Sequence, residues 1–392
     1  MALPNVKIIL GNGNLARVQS LDDGVSGLLL PGDPVADKLE LNKHYTFGSV
    51  RDLVTYGITK ENNPIAYKDI LAFFTSVGGG AELHVVLTEK DKTLAEMCSV
   101  EDGSPLRVLV AGGSGRIRLV GVNHTAAADD AEVPTKGISD DAIAAVKAAQ
   151  SVAESFTTEI QPFRVLLPAL DWDGTTEKLY KPREDSSNRV GMVLASDELI
   201  GGKASAAIGQ VLGRAAKLKV HQSIARVREG SIASFGYLMD GKTPEDHYAV
   251  RDALDAAGYI FYRTFAAKNG YYINDDPMCA ALSDDYSNLY LGRVIDKAIL
   301  IAYTTYIDSV MDNIVVDEDG LIPEPVCKSY EQMIKRAVGA QMGDEISSFD
   351  AYVDPSQNVL INGVLDIECK IVPQGILREI NVNLSFVNPQ NK

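Results

Sequence analysis

The carboxyl-terminal stretch of this chain carries its cleanest periodicity, and that periodicity admits one kind of local structure. Leu365, Ile367, Cys369 and Ile371 alternate with Asp366, Glu368 and Lys370. After a turn at Pro373-Gln374-Gly375, Ile380, Val382, Leu384 and Phe386 alternate with Glu379, Asn381, Asn383 and Ser385, with Arg378 an exposed or paired exception in the apolar phase. A repeat of two puts successive side chains on opposite sides of an extended chain, so both stretches are expected as half-buried strands. A chain ending in a strand presents a row of unpaired backbone N–H and C=O groups that something must satisfy.

The other end reads similarly. Leu3 to Leu10 is rich in Val and Ile, stops at Gly11-Asn12-Gly13 and resumes from Leu15 to Val18, a strand, turn and strand. After Asp22-Asp23-Gly24 comes the apolar run VSGLLLPG. From Gly48 the apolar spacing turns helical as far as Phe74; Gly78-Gly79-Gly80 ends that helix and Leu83 to Thr88 follows as a strand. Residues 106–122, LRVLVAGGSGRIRLVGV, hold two apolar runs about a glycine-rich turn, expected as a hairpin or strand crossover. Ser139 then caps a helix, and Phe163–Leu170 and Arg189–Ala195 read as strands. An Ala-rich helix is expected between Ser196 and Lys219, and a strand from Val220 to Val227. Strands alternating with helices over 106–230 predict an α/β middle domain.

Thr243-Pro244-Glu245-Asp246 has the chemistry of a helix start, and that helix is expected to run to about Ala257 and stop at Gly258. Short strands are expected at Tyr259–Ala266 and around Tyr271–Ile273. Ser283-Asp284-Asp285 should cap the longest helix, reaching about Asn313 and spanning roughly 40 Å at about 1.5 Å per residue. A shorter helix is expected over Val326–Gln341.

Composition removes several functions. The formal charge of −16 opposes nucleic-acid binding, which needs clustered Lys and Arg; Arg214, Lys217, Lys219, Arg226 and Arg228 are interspersed with apolar residues. The four cysteines, Cys98, Cys279, Cys327 and Cys369, form no CxxC and read as buried hydrophobes. The histidines lack HxxxH spacing, so no metal is assigned and no cofactor is implied. Without a long apolar span or a basic leader, the chain is expected to fold in a cytoplasm, without direct membrane insertion.

Two segments imitate phosphate sites. GYLMDGKT at 236–243 places Gly236, Gly241, Lys242 and Thr243 on every fixed position of the P-loop pattern. Its cradle would be Tyr237, Leu238, Met239 and Asp240, however, with an acid beside the phosphate and Pro244 removing an N–H from the following turn. VLVAGGSGRIRLVG at 108–121 supplies a G-x-G with Gly113 and Gly115, but Arg118 stands where the third glycine belongs. No GxSxG elbow or triad is recognisable, and acid pairs such as Asp275-Asp276 read as solvated loops. The chain is read as a non-enzyme.

Three regions together resemble the contractile phage tail sheath family, in its short sheath-like branch, which also occurs in phage-tail-like contractile injection systems. They are LPNVKIILGNGNLARV with LDDGVSGLLLPG; FGSVRDLVTYG with IAYKDILAFFTSVGGGAELHVVLTE; and Gly258–Gly270, the long helix and the closing ILREINVNLSF. The resemblance implies a mixed α/β (α+β) fold with terminal β-strand arms, its core formed by N- and C-terminal segments around an inserted α/β domain. The divisions expected are 1–32 (arm and first strands), 33–105 (first part of the core), 106–240 (inserted domain) and 241–392 (second part of the core and arm). It further implies a homo-oligomer of stacked hexameric rings around an inner tail tube, with baseplate and terminator proteins as partners. Such a subunit is made in the producing cell's cytoplasm and ends in a virion tail or an extracellular contractile particle. The expected inter-subunit strands are Leu3, Val6, Ile8 and Leu10 at one end and Ile380, Val382, Leu384 and Phe386 at the other. Contraction then needs no nucleotide, because a metastable lattice relaxes into one with better contacts. The alternatives are a P-loop nucleotide-binding enzyme using Lys242 and Thr243, and another structural part of the same particle.

Overall fold

Apolar runs too dense to alternate build the centre of the molecule. In the computed structural model, which describes residues 23–78, 80–124 and 134–386, they form one seven-stranded sheet. Its strands are β1 (Ser26–Pro31), β2 (His44–Phe47), β3 (Leu83–Thr88), β4 (Leu119–Val122), β5 (Arg164–Pro168), β6 (Val190–Val193) and β7 (Tyr259–Ile260). Across the sheet they run β7-β6-β5-β4-β1-β3-β2, all parallel except the edge strand β2. Leu28, Leu29 and Leu30 are consecutive and fully buried, so both faces of the sheet are covered, as a parallel sheet requires.

Two glycines identify what covers each face. Gly27 pairs with Val120, and Leu28 with Gly121, on neighbouring strands. A Cβ on Gly27 would touch Leu109 of helix Pro105–Gly112, whereas one on Gly121 would meet Ile208 and Leu212 of helix Ile208–Lys217. Successive strand residues face opposite sides, so these two helices lie on opposite faces. Numbered with their companions, the helices are α1 (Pro64–Val77), α2 (Pro105–Gly112), α3 (Asp140–Thr158) and α4 (Ile208–Lys217). α2 and α3 touch each other; α1 and α4 cross closely on the other side. The crossing depends on Gly209 and Gly213, whose added Cβ atoms would sit 2.1 Å from the Asp69 carbonyl oxygen and 2.6 Å from that of Phe73.

The strands of this sheet come from all four expected divisions, so the breaks placed at 105/106 and 240/241 fall inside a single sheet. The remainder forms a smaller region: α5 (Leu289–Tyr306), α6 (Glu324–Met342) and an antiparallel hairpin of β8 (Ile346–Val353) with β9 (Ile367–Pro373). Its own core joins Val294, Ala298 and Ile301 of α5 to Ile334, Val338 and Met342 of α6 and to Ile346 and Ala351.

Several expectations are corrected. Residues 106–112 are helical, because Pro105 opens a turn that buries Leu106, Leu109 and Val110 at helical spacing. The stretch 196–219 begins as a hairpin of Ala195–Ile200 with Lys203–Ala206, turned by Gly201 and Gly202 at positive φ, before α4 starts. Residues 220–227 form no strand; turns and the short 3-10 helix Val227–Glu229 occupy that region. After Thr243 the chain makes successive turns, and the helix itself is only Arg251–Ala257, ending as expected at left-handed Gly258. The long helix starts at Leu289 rather than Ser283 and ends at Tyr306; its 18 residues span about 27 Å.

Candidate assembly surface

An open α/β sheet ordinarily binds ligands beyond the carboxyl ends of its strands, where the order reverses, here between β1 and β4. Asn123, directly after β4, lies there. It donates through Nδ2 to Asp69 Oδ2 (2.7 Å) and to the Ala206 carbonyl (3.0 Å). Lys68 Nζ reaches Asp197 Oδ1 at 2.6 Å, the Ala206 carbonyl at 2.6 Å and Asp69 Oδ1 at 3.0 Å. Burial works against the Lys68 charge, but Asp197 and then Asp69 more than offset it and hold the ammonium above its ordinary pKa. The polar side chains at this crevice are thus bonded to one another.

Neither phosphate look-alike forms a cradle. Around Gly236–Thr243, the strand Tyr237–Leu238 pairs with Ala195–Ser196, and the Gly241 N–H donates to the Leu238 carbonyl. Asp240 accepts from His247 Nε2 at 2.8 Å and has Lys242 Nζ at 3.7 Å, while Thr243 Oγ1 donates to Asp246 Oδ2 at 2.8 Å. No helix N-terminus follows within reach. At 108–121 the order is helix, turn, strand, the reverse of a dinucleotide site, so the glycines cap the wrong end.

The opposite character prevails in the smaller region. Between α5, α6 and the hairpin lies a groove of about 750 Å³, lined by Val294, Ala298, Ala302, Val338, Phe349 and Ile371 among others. β8 and β9 pair only with each other among the described residues, which leaves both outer edges of the hairpin with open backbone groups. The periodicity of 365–371 therefore marks a real strand. Its partner is Ile346–Val353, which the sequence reading missed, and not 377–386. β8 was hard to see because ISSFDAYV alternates only in part and a bulge falls between Ile346 and Ser348.

Beyond Pro373 the chain continues to residue 386 without joining a ladder among the described residues. Ile380, Val382, Leu384 and Phe386 are all exposed, Leu384 at 91 %. The structure places these four expected strand residues on one free arm; Leu3, Val6, Ile8 and Leu10 lie outside the described residues. The root of the arm is tied down: Arg378 Nη2 lies 2.7 Å from Asp275 Oδ2.

The surface is carried on a rigid mount that sequence spacing did not reveal. Asp296 of α5 receives Arg164 Nε at 2.7 Å and Nη2 at 3.0 Å from β5, and Arg189 Nη1 at 3.1 Å. At the next residue, Lys297 Nζ bridges Asp23 Oδ2 at 2.6 Å and Glu345 Oε2 at 2.7 Å. Gly292 lets the pair approach, since a Cβ there would lie 2.4 Å from the Arg164 guanidinium carbon. One turn of α5 thus joins the sheet, the amino-terminal segment and the hairpin.

Residues 3–277 match the family described as DUF2586, N-terminal domain, and residues 285–391 match DUF2586, C-terminal domain. No curated protein matches in sequence. Among solved structures, the contracted helical sheath of the anti-feeding prophage superimposes with a TM-score of 0.64 at 14% identity, covering 98% of this chain and 99% of that one. The contracted sheath of the extracellular contractile injection system PVC gives 0.58 at 11% identity, over 100% and 99%. A sheath tail protein from Desulfitobacterium hafniense gives 0.54 at 11% identity, over 94% and 100%. The fold is that of contractile sheath proteins along essentially the whole chain.

Proposed function

We propose, starting from the fact that the chain belongs to the DUF2586 family, that it is the sheath subunit of a contractile tail or injection machine. One observation carries this reading. A free arm with four exposed apolar residues at strand spacing leaves the same region that holds an apolar groove and a hairpin with two open edges. Adding the arm of one copy to the hairpin of the next would satisfy backbone groups on both and cover side chains worth about 1.5–3 kcal/mol each when fully buried. The exchange is heterologous, so it propagates instead of closing into a pair.

In this reading Ile380, Val382, Leu384 and Phe386 form one inter-subunit strand, and Leu3, Val6, Ile8 and Leu10 form another. Rings of six stack around an inner tube, with baseplate and terminator proteins at the ends. The arms keep copies linked while the sheet-centred bodies change packing, and the energy of contraction resides in those contacts, not in a bound nucleotide. The subunit acts structurally, and not as an enzyme. It is made in the producing cell's cytoplasm before becoming part of a tail or an extracellular particle.

The test is a chain ending at Pro373. It should remain folded, with a melting temperature near that of the full chain, and stay monomeric where the full chain forms tubes visible by electron microscopy. Tubes of normal length from the shortened chain would sink the reading.

A further inference from the structure

In the arm, the position that carries the apolar phase back from Ile380 toward the hairpin is Arg378. Its partner Asp275 is no solvated loop acid: its side chain is 17% exposed, and Arg183 Nη2 lies 3.9 Å from the same Oδ2. Arg183 is itself held, donating Nη1 to the Ser287 carbonyl at 2.8 Å. The backbone beside Asp275 is pinned to the start of α5. The Asp276 carbonyl accepts from the Leu289 N–H at 2.8 Å, and Asp276 Oδ1 accepts from Asn288 Nδ2 at 2.9 Å. Arg378, half exposed, therefore forms an ion pair with a largely buried acid on rigid support, where one partner is shielded from solvent screening.

We infer that Arg378 is a positioning residue: clamped to Asp275, it sets the point and the residue phase at which the arm leaves its own subunit. The inference rests on the strand-exchange reading above. Without the clamp the described free segment would be 375–386, beyond Gln374, whose Nε2 donates to the Asp344 carbonyl, a reach of about 40 Å at roughly 3.3 Å per residue; with it the segment is 379–386, about 26 Å. A shorter tether raises the effective concentration of the arm at a neighbouring hairpin, by about twofold from length alone. It also guards register, because a slip of one residue would turn Ile380, Val382, Leu384 and Phe386 to the wrong face.

Two measurements test this. In the first, spin labels are placed at Asn381 and Leu282, both exposed, with the exposed native Cys369 replaced by serine and labelled chains diluted into unlabelled protein. Dipolar spectroscopy should give a narrow distance distribution for the otherwise native chain. That distribution should broaden at least about twofold in Arg378→Gln and in Asp275→Asn. An unchanged width in Arg378→Gln, or a broad native distribution, overturns the clamp whether or not the protein forms tubes. In the second, Arg378→Asp and Asp275→Arg should each raise the concentration needed for tube assembly at least about twofold, and the two together should restore it. Assembly of both single variants at the native concentration overturns the role in positioning. Failure of the native chain to form tubes strikes the strand-exchange reading instead and leaves the distance result standing.

Discussion

The sheet-centred body and the carboxyl-terminal region treat apolar residues in opposite ways. In the body, Leu28–Leu30, Val85–Leu87 and Val165–Leu167 are fully covered from both sides. In the other region Leu360, Ile361, Leu377, Ile380, Val382, Leu384 and Phe386 stand open to solvent. The body also meets its own needs for charge, with Lys68, Asp69, Asn123 and Asp197 bonded among themselves. An apolar arm left open in the region that holds an apolar groove is unusual for a monomer, and under the proposed reading it is the part of the chain that another copy covers.

The largest expected effect comes from cutting the tie between the two regions. Asp296→Ala leaves Arg164 and Arg189 without their carboxylate in a buried site, and should lower the urea-unfolding free energy by about 3–5 kcal/mol. A loss under about 1 kcal/mol would mean that apolar contacts alone join the regions.

Next comes Asp276, beside the arm clamp. Burial, and then Asp275, raise its carboxyl to about 7 from an ordinary 3.8. A raised carboxyl favours the protonated fold, so its contribution is fully present below pH 3.8 and is lost as pH climbs to about 7. Asp276→Asn should therefore stabilise the protein at pH 7.5 by about 2–4 kcal/mol and make little difference at pH 3.8. Equal effects of the substitution at both values would remove the ionisation account.

A pair of glycines gives the smallest and sharpest comparison. Gly209→Val, in the close α1–α4 crossing of the body, should cost about 1–3 kcal/mol or more by thermal denaturation, because the Asp69 carbonyl blocks the new side chain. Gly339→Ala, in α6 with nothing within 4 Å, should instead gain about 0.5–1 kcal/mol. Similar losses at both would mean that the carboxyl-terminal region is as closely packed as the body.

Much of the body was legible in local sequence. The apolar runs at Val25–Pro31, Leu83–Thr88 and Phe163–Leu170 contain strands where expected, since a strand buried on both faces leaves an uninterrupted apolar signal. The errors came where one composition suits two structures. Val and Leu at 106–110 read equally as strand or helix, and only packing against β1 and β3 decides for the helix. Gly201-Gly202 was a hairpin signal hidden by the Ala-rich residues around it. In the candidate assembly surface, β9 was legible by period, but β8, the groove and the Asp296 and Lys297 ties were not. β8 alternates only in part, and the ties join residues as far apart as Arg164 and Asp296 or Asp23 and Lys297.

By itself, the sequence determined the alternating strand at Ile367–Pro373, because alternation is a local property that survives whatever the rest does. Only the tertiary structure decided that β9 pairs with Ile346–Val353, that the later alternating segment joins no ladder among the described residues, and that Arg378 joins it to Asp275. Pairing and burial are relations between distant residues, fixed by which surfaces the fold brings together.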